Sequence, residues 1–162
     1  MDKVSKRISV LLVALLFLLI SACKANISRN EDGSYDVETT LGQQELQRLI
    51  TASIADPLVK EITVSLQSGY VLVSGERQRL NDNSRTDTLS FRLDLGASNG
   101  QLTSSISDAQ LDGIAIEQAR VDLWNQTIAN RLATLGQKNQ NSTLKSLSIA
   151  PDVITMTWNV KK

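Results

Sequence analysis

The chain has a single thiol, Cys23, and its setting is the most chemically suggestive in the sequence. Cys23 follows Ile20-Ser21-Ala22, an aliphatic residue and two small ones, at the end of an unbroken apolar run from Val10 to Ile20. Lys3, Lys6 and Arg7 precede that run. A basic start, a short apolar stretch and small residues before a cleavage point compose a secretory leader. The run is about 11 residues long, whereas a membrane span needs about 20, so it is not read as a permanent transmembrane helix.

The rest of the chain is poor in reactive groups. There is no histidine, which removes the usual general base, the commonest metal ligand and the Ser-His-Asp arrangement. Cys23, at the end of the leader, is the one thiol, so no disulfide or cysteine pair is available. Carboxylates remain. Asp108 and Asp112 bracket one turn, Asp82 and Asp87 another. All four read as solvated turn residues rather than as an acid/base pair. No Gly-rich phosphate loop, calcium loop or metal-spaced set occurs. The chain is therefore expected to be no enzyme, with no catalytic residue, no metal and no cofactor.

Of the 162 residues, 22 belong to the leader, which leaves 140 for the mature chain, enough for one domain. Such a chain buries roughly two-thirds of its unfolded surface and needs no disulfide. The leader takes three of the 17 basic residues and one of the 17 acidic ones, so the mature part is slightly acidic. No basic stripe stands out, and no nucleic-acid partner is expected. The expected organisation is a leader over 1–22, Cys23 with a polar tether to residue 34, and one domain over 35–162. Residues 24–34 would extend up to roughly 35–40 Å.

The elements of the domain follow from periodicity. Tyr35 to Thr39 alternates as a short strand. Thr40 and Gln43 fit a capping box, after which Leu46, Leu49, Ile50 and Ile54 share one helix face. Asp56-Pro57 stops that helix. The period then drops to two: Ile62, Val64 and Leu66 define one strand, and Tyr70 to Gly75, apolar on both faces, reads as a central strand covered on both sides. Leu89, Phe91, Leu93 and Leu95 mark the clearest one-face strand, and Asn99-Gly100 is a strong hairpin signal. Asp112-Gly113 breaks the next strand. Val121, Trp124, Ile128, Leu132 and Leu135 stripe a second helix, on which Ala129 and Ala133 leave room for close approach. A final hairpin turns at Ala150-Pro151-Asp152. The fold class is α+β: a mostly antiparallel meander sheet packed on two amphipathic helices.

Two resemblances add to this reading. Ile20-Ser21-Ala22-Cys23 resembles the bacterial lipobox, with Lys24 after the cysteine as in lipoproteins sent to the outer membrane of Gram-negative bacteria. The order of elements over roughly residues 35–160, with Thr39-Thr40, Glu45-Leu46, Asn99-Gly100-Gln101-Leu102, Asp112 to Ile116 and Asn125, is similar to the small tubular lipid-binding (TULIP-like) envelope proteins. That group includes the YceB-type lipoproteins and the mycobacterial mannan-modifying lipoproteins. The resemblance implies a curled sheet around a long helix and an apolar groove between them. Leu46, Leu49, Ile50, Ile54, Trp124, Ile128 and Leu132 would line that groove; the same residues equally suit a packed core. The expected protein is an envelope lipoprotein, held on a membrane facing the periplasm or exterior through lipidated Cys23. It would bind a lipid or other apolar ligand or, alternatively, another envelope protein in a structural or assembly role.

Overall fold

A computed structural model describes residues 26–82, 84–136 and 141–161. The expected leader, Cys23 and most of the expected Lys138–Ser142 loop lie outside the described residues. The domain is α+β, with two helices and two antiparallel sheets. In chain order the elements are β1 (Asn26–Arg29), β2 (Tyr35–Gly42), α1 (Gln43–Ile54), β3 (Val59–Gln67), β4 (Tyr70–Gln78), β5 (Thr86–Ser98), β6 (Gln101–Leu111), β7 (Ile114–Ala115), α2 (Gln118–Gly136), β8 (Ser142–Ile149) and β9 (Val153–Val160).

The expected single meander is divided in two. β3 to β7 do form a meander in sequence order, but β2 pairs with β9, giving a second sheet ordered β1-β2-β9-β8. The cause is α1, which interrupts the strands and lets the C-terminal hairpin claim β2 along its whole length, from Tyr35↔Val160 to Gly42↔Val153. That pairing carries β2 past the expected helix start. Thr40 sits opposite Thr155 as a strand residue, and the helix N-cap is Gly42, whose N–H donates to the Glu45 carboxylate at 3.4 Å. Ala55, in the left-handed region at φ 48°, ends α1 just before Asp56-Pro57.

The core lies between the sheets and the helices. α1 contributes Leu46, Ile50 and Ile54, and α2 contributes Val121, Trp124, Ile128 and Leu132. β3, β4 and β5 present Ile62, Val64, Leu66, Val71, Val73, Leu89, Phe91 and Leu93 to them. Ile154, Met156 and Trp158 of β9 close the other side. Phe91 and Trp124 meet with ring centroids 5.9 Å apart, within the range of favourable aromatic pairs.

Three local expectations are corrected. β4 is central in its sheet, yet only one of its faces is covered: Val71 and Val73 are buried while Leu72 is 44% exposed. The helices pack on the other face, leaving that one to solvent. The segment expected as tether is partly a strand, because Asn26–Arg29 pairs with β2. Asp112-Gly113 does not merely break a strand. With φ of 51° and 78° it makes a two-residue hairpin turn between β6 and β7, the conformation that Asp-Gly favours. Asn99-Gly100, at φ 53° and 74°, does the same between β5 and β6.

Candidate functional site

The seven residues expected to line a sheet–helix groove are packed inward. Leu46, Ile50, Ile128 and Leu132 are fully enclosed, Ile54 and Trp124 are buried, and Leu49 is partly buried against the same cluster. None of the seven borders the principal surface cavities.

The largest of those cavities lies at one end of the five-stranded sheet. It is a groove of about 980 Å³, walled by the end of β4, the loop after it, the β6–β7 turn and the start of α2. Arg77, Arg79, Arg85 and Arg120 line it together with Asp82, Asp87, Asp112 and Glu117. Leu80 and Ile114 border it as exposed apolar side chains, 75% and 73% open to solvent. Each charged group is placed by local backbone. Antiparallel pairing sets Asp87 opposite Arg77. The Asp112 turn is tied back to β5, with the Asp112 N–H donating to the Thr88 carbonyl at 2.9 Å and the Thr88 N–H donating to Asp112 Oδ1 at 2.8 Å.

Arg79 is the centre of the site. Its Nε donates to Asp87, and its Nη2 donates to Asp112 Oδ2 at 2.8 Å. Asp112 is held below the usual carboxylate range, first by the Thr88 N–H, then by its Asp87 neighbour and Arg79. The contacts raise the Arg79 pKa in turn, Asp87 foremost. Beside them Arg77 Nε donates to Asp56 Oδ2 at 2.8 Å. Burial pushes Asp56 upward, but that bond, the Leu58 N–H and the charge of Arg77 outweigh it, so its pKa is lowered. Acid catalysis at neutral pH needs a carboxyl whose pKa is raised. The shifts at Asp56 and Asp112 run the opposite way. The walls carry matched charges of both signs, flanked by apolar lips.

Sequence reasoning assigned Asp87 and Asp112 to separate turns. The structure brings both onto one guanidinium, whereas Asp108 lies on the outer face of the sheet near Tyr70 and Arg92. The signal that would have joined them is Asp112-Gly113 read as a hairpin, since it fixes Leu111 opposite Leu89 and so returns the turn to the start of β5.

A second polar cluster ties the termini together. Asp36 accepts from Asn159 Nδ2 at 2.8 Å, Lys145 Nζ at 2.5 Å and Asn30 Nδ2 at 3.0 Å. Those bonds, from Asn159 first, lower its pKa to about 2. A smaller cavity of about 320 Å³ lies between Ala129, Asn130 and Ala133 of α2, the Asn99-Gly100 turn and Trp158. Ala129 and Ala133, the small side chains expected to admit a close neighbour, pack against the core on one side and border this cavity on the other. Among the described residues no group of three or more metal-binding side chains occurs, and no helix is long and apolar enough to cross a membrane.

Compared with protein-family models, curated proteins and solved structures, the chain matches none.

Proposed function

We propose that the protein is a non-catalytic lipoprotein of the bacterial cell envelope, held on a membrane through acylated Cys23, that acts by binding another envelope protein. The observation that carries this reading is the groove around Arg79. Arg79 holds Asp87 and Asp112 within it, and the apolar groups it offers a partner are the exposed Leu80 and Ile114. Apolar side chains set among polar ones, over a solid core, suit a protein interface better than a small-molecule pocket. The lowered pKa values of Asp56 and Asp112 suit neither to act as a general acid at neutral pH.

A second reading keeps the tubular lipid-binding resemblance: a curled sheet on two amphipathic helices, with an acyl chain between them. The cavity beside Ala129 and Ala133 of the second helix has mostly polar walls and none of the seven expected groove residues. An acyl chain there would have to part side chains that now touch.

Native mass spectrometry of residues 24–162, purified from bacterial cells, separates the two. The protein-binding reading expects the bare chain mass and no uptake of added phospholipid. A ligand of several hundred daltons, released on denaturation, would replace it with the carrier reading.

A further inference from the structure

We infer that the folded domain lies directly against the lipid surface, with the free edge of β1 as the apposed face. The inference rests on the lipoprotein reading of Cys23.

The first argument is length. Only Lys24 and Ala25 separate Cys23 from β1. Consecutive Cα atoms are 3.8 Å apart, so Asn26 lies within about 11 Å of the acylated residue however the chain runs. A polar tether to residue 34 would have allowed roughly three times that reach. The domain therefore cannot extend away from the bilayer toward a distant partner.

The second argument is rigidity. β1 holds a four-residue register with β2, from Asn26↔Glu38 to Arg29↔Tyr35, and β2 is locked to β9 along its length. The turn between β1 and β2 is held by its own side chains. Asn30 Nδ2 donates to Ser34 Oγ at 2.9 Å, and Ser34 Oγ donates to Asp32 Oδ1 at 2.6 Å. Asn159 Nδ2 also donates to Ser34 Oγ at 3.0 Å, which binds the turn to β9. No slack remains to let the hairpin act as a leash.

The third argument is the surface itself. Among the described residues β1 is an edge strand, paired on one side only. Ile27 sits opposite Val37, which is buried, yet Ile27 is 68% exposed. It prolongs the core face of its sheet past the point where anything covers it. A lipid headgroup layer offers both partners such an edge lacks: water and polar groups for the open backbone, and an apolar boundary for the isoleucine.

The test uses the lipidated protein in phosphatidylethanolamine/phosphatidylglycerol vesicles. Acylation blocks Cys23, so Ile27→Cys supplies a lone free thiol for an environment-sensitive fluorophore, and Thr63→Cys on the exposed face of the other sheet serves as reference. The expected result is blue-shifted emission and quenching by headgroup-nitroxide lipids at position 27 and neither at 63. A long Gly/Ser insert between Ala25 and Asn26 should abolish both effects. Emission at 27 equal to that of the soluble 24–162 form, with Cys23 shown by mass to be acylated, overturns the apposition alone. A Cys23 without acyl mass overturns this inference and the lipoprotein reading together.

Discussion

Arg79 Nη2 and Asp112 Oδ2 meet at 2.8 Å although the residues are 33 apart in sequence. The same guanidinium also holds Asp87, so one cation compensates two carboxylates that strand pairing has brought together. Replacing Arg79 by Met leaves Asp87 and Asp112 uncompensated. The variant should melt below the wild type at pH 7, and the gap should narrow as the pH falls through the carboxylate range and the repulsion is protonated away. Asp112→Asn in the same background should recover part of the loss. Thermal melts at pH 7 and pH 3 check this; an equal gap at both would remove the charge argument.

Asp36 sets the acid limb of stability. Its pKa is lowered from 3.8 to about 2 in the folded protein. A carboxylate depressed in this way contributes stability that is complete above its unfolded value and is lost as pH falls toward the folded one. Denaturant titrations should therefore show a decline between about pH 4 and pH 2 that Asp36→Asn flattens. The variant should also be less stable at pH 7, since Lys145 and Asn159 lose a charged acceptor.

The interior should behave as a close-packed core. Ile128 is fully enclosed, so Ile128→Ala is expected to cost about 2–5 kcal/mol in chemical denaturation. If an acyl chain normally occupied that space, the loss would be far smaller and would vary with added lipid.

Gly100 is required by its backbone. Its φ is +74°, and a Cβ placed there would lie 3.1 Å from the Thr143 Cβ. The Gly100 carbonyl also accepts the Leu144 N–H at 2.7 Å, which joins the β5–β6 hairpin to β8. Gly100→Ala should destabilise by about 1–2 kcal/mol from left-handed strain alone. Gly33→Ala shares a positive φ but meets open space, and should cost less.

Local features of the fold were legible in the sequence, and distant ones were not. Alternation in Leu89, Phe91 and Leu93 and the Asn99-Gly100 pair located β5, its buried face and its hairpin, because each signal is complete within a few residues. The division into two sheets was hidden, since it depends on β2 and β9 meeting from opposite ends of the chain. Leu72 misled for a related reason: an apolar residue on a strand does not reveal whether anything packs over it. The stripes on the helices identified Leu46, Ile50, Ile54, Val121, Trp124, Ile128 and Leu132 as buried but not Leu135, which is exposed at the helix end, and the same stripes serve a groove or a core. The Arg79 site escaped notice because its carboxylates, Asp87 at the start of β5 and Asp112 in the β6–β7 turn, are united only by the sheet register.

The lipoprotein reading stands on Cys23, and the most direct measurement is the intact mass of the protein purified from the membranes of a Gram-negative host. The expected chain begins at Cys23 and carries acyl mass on its sulfur and its new N-terminus. A chain that retains residues 1–22, or that begins at Cys23 with no acyl mass, would contradict it.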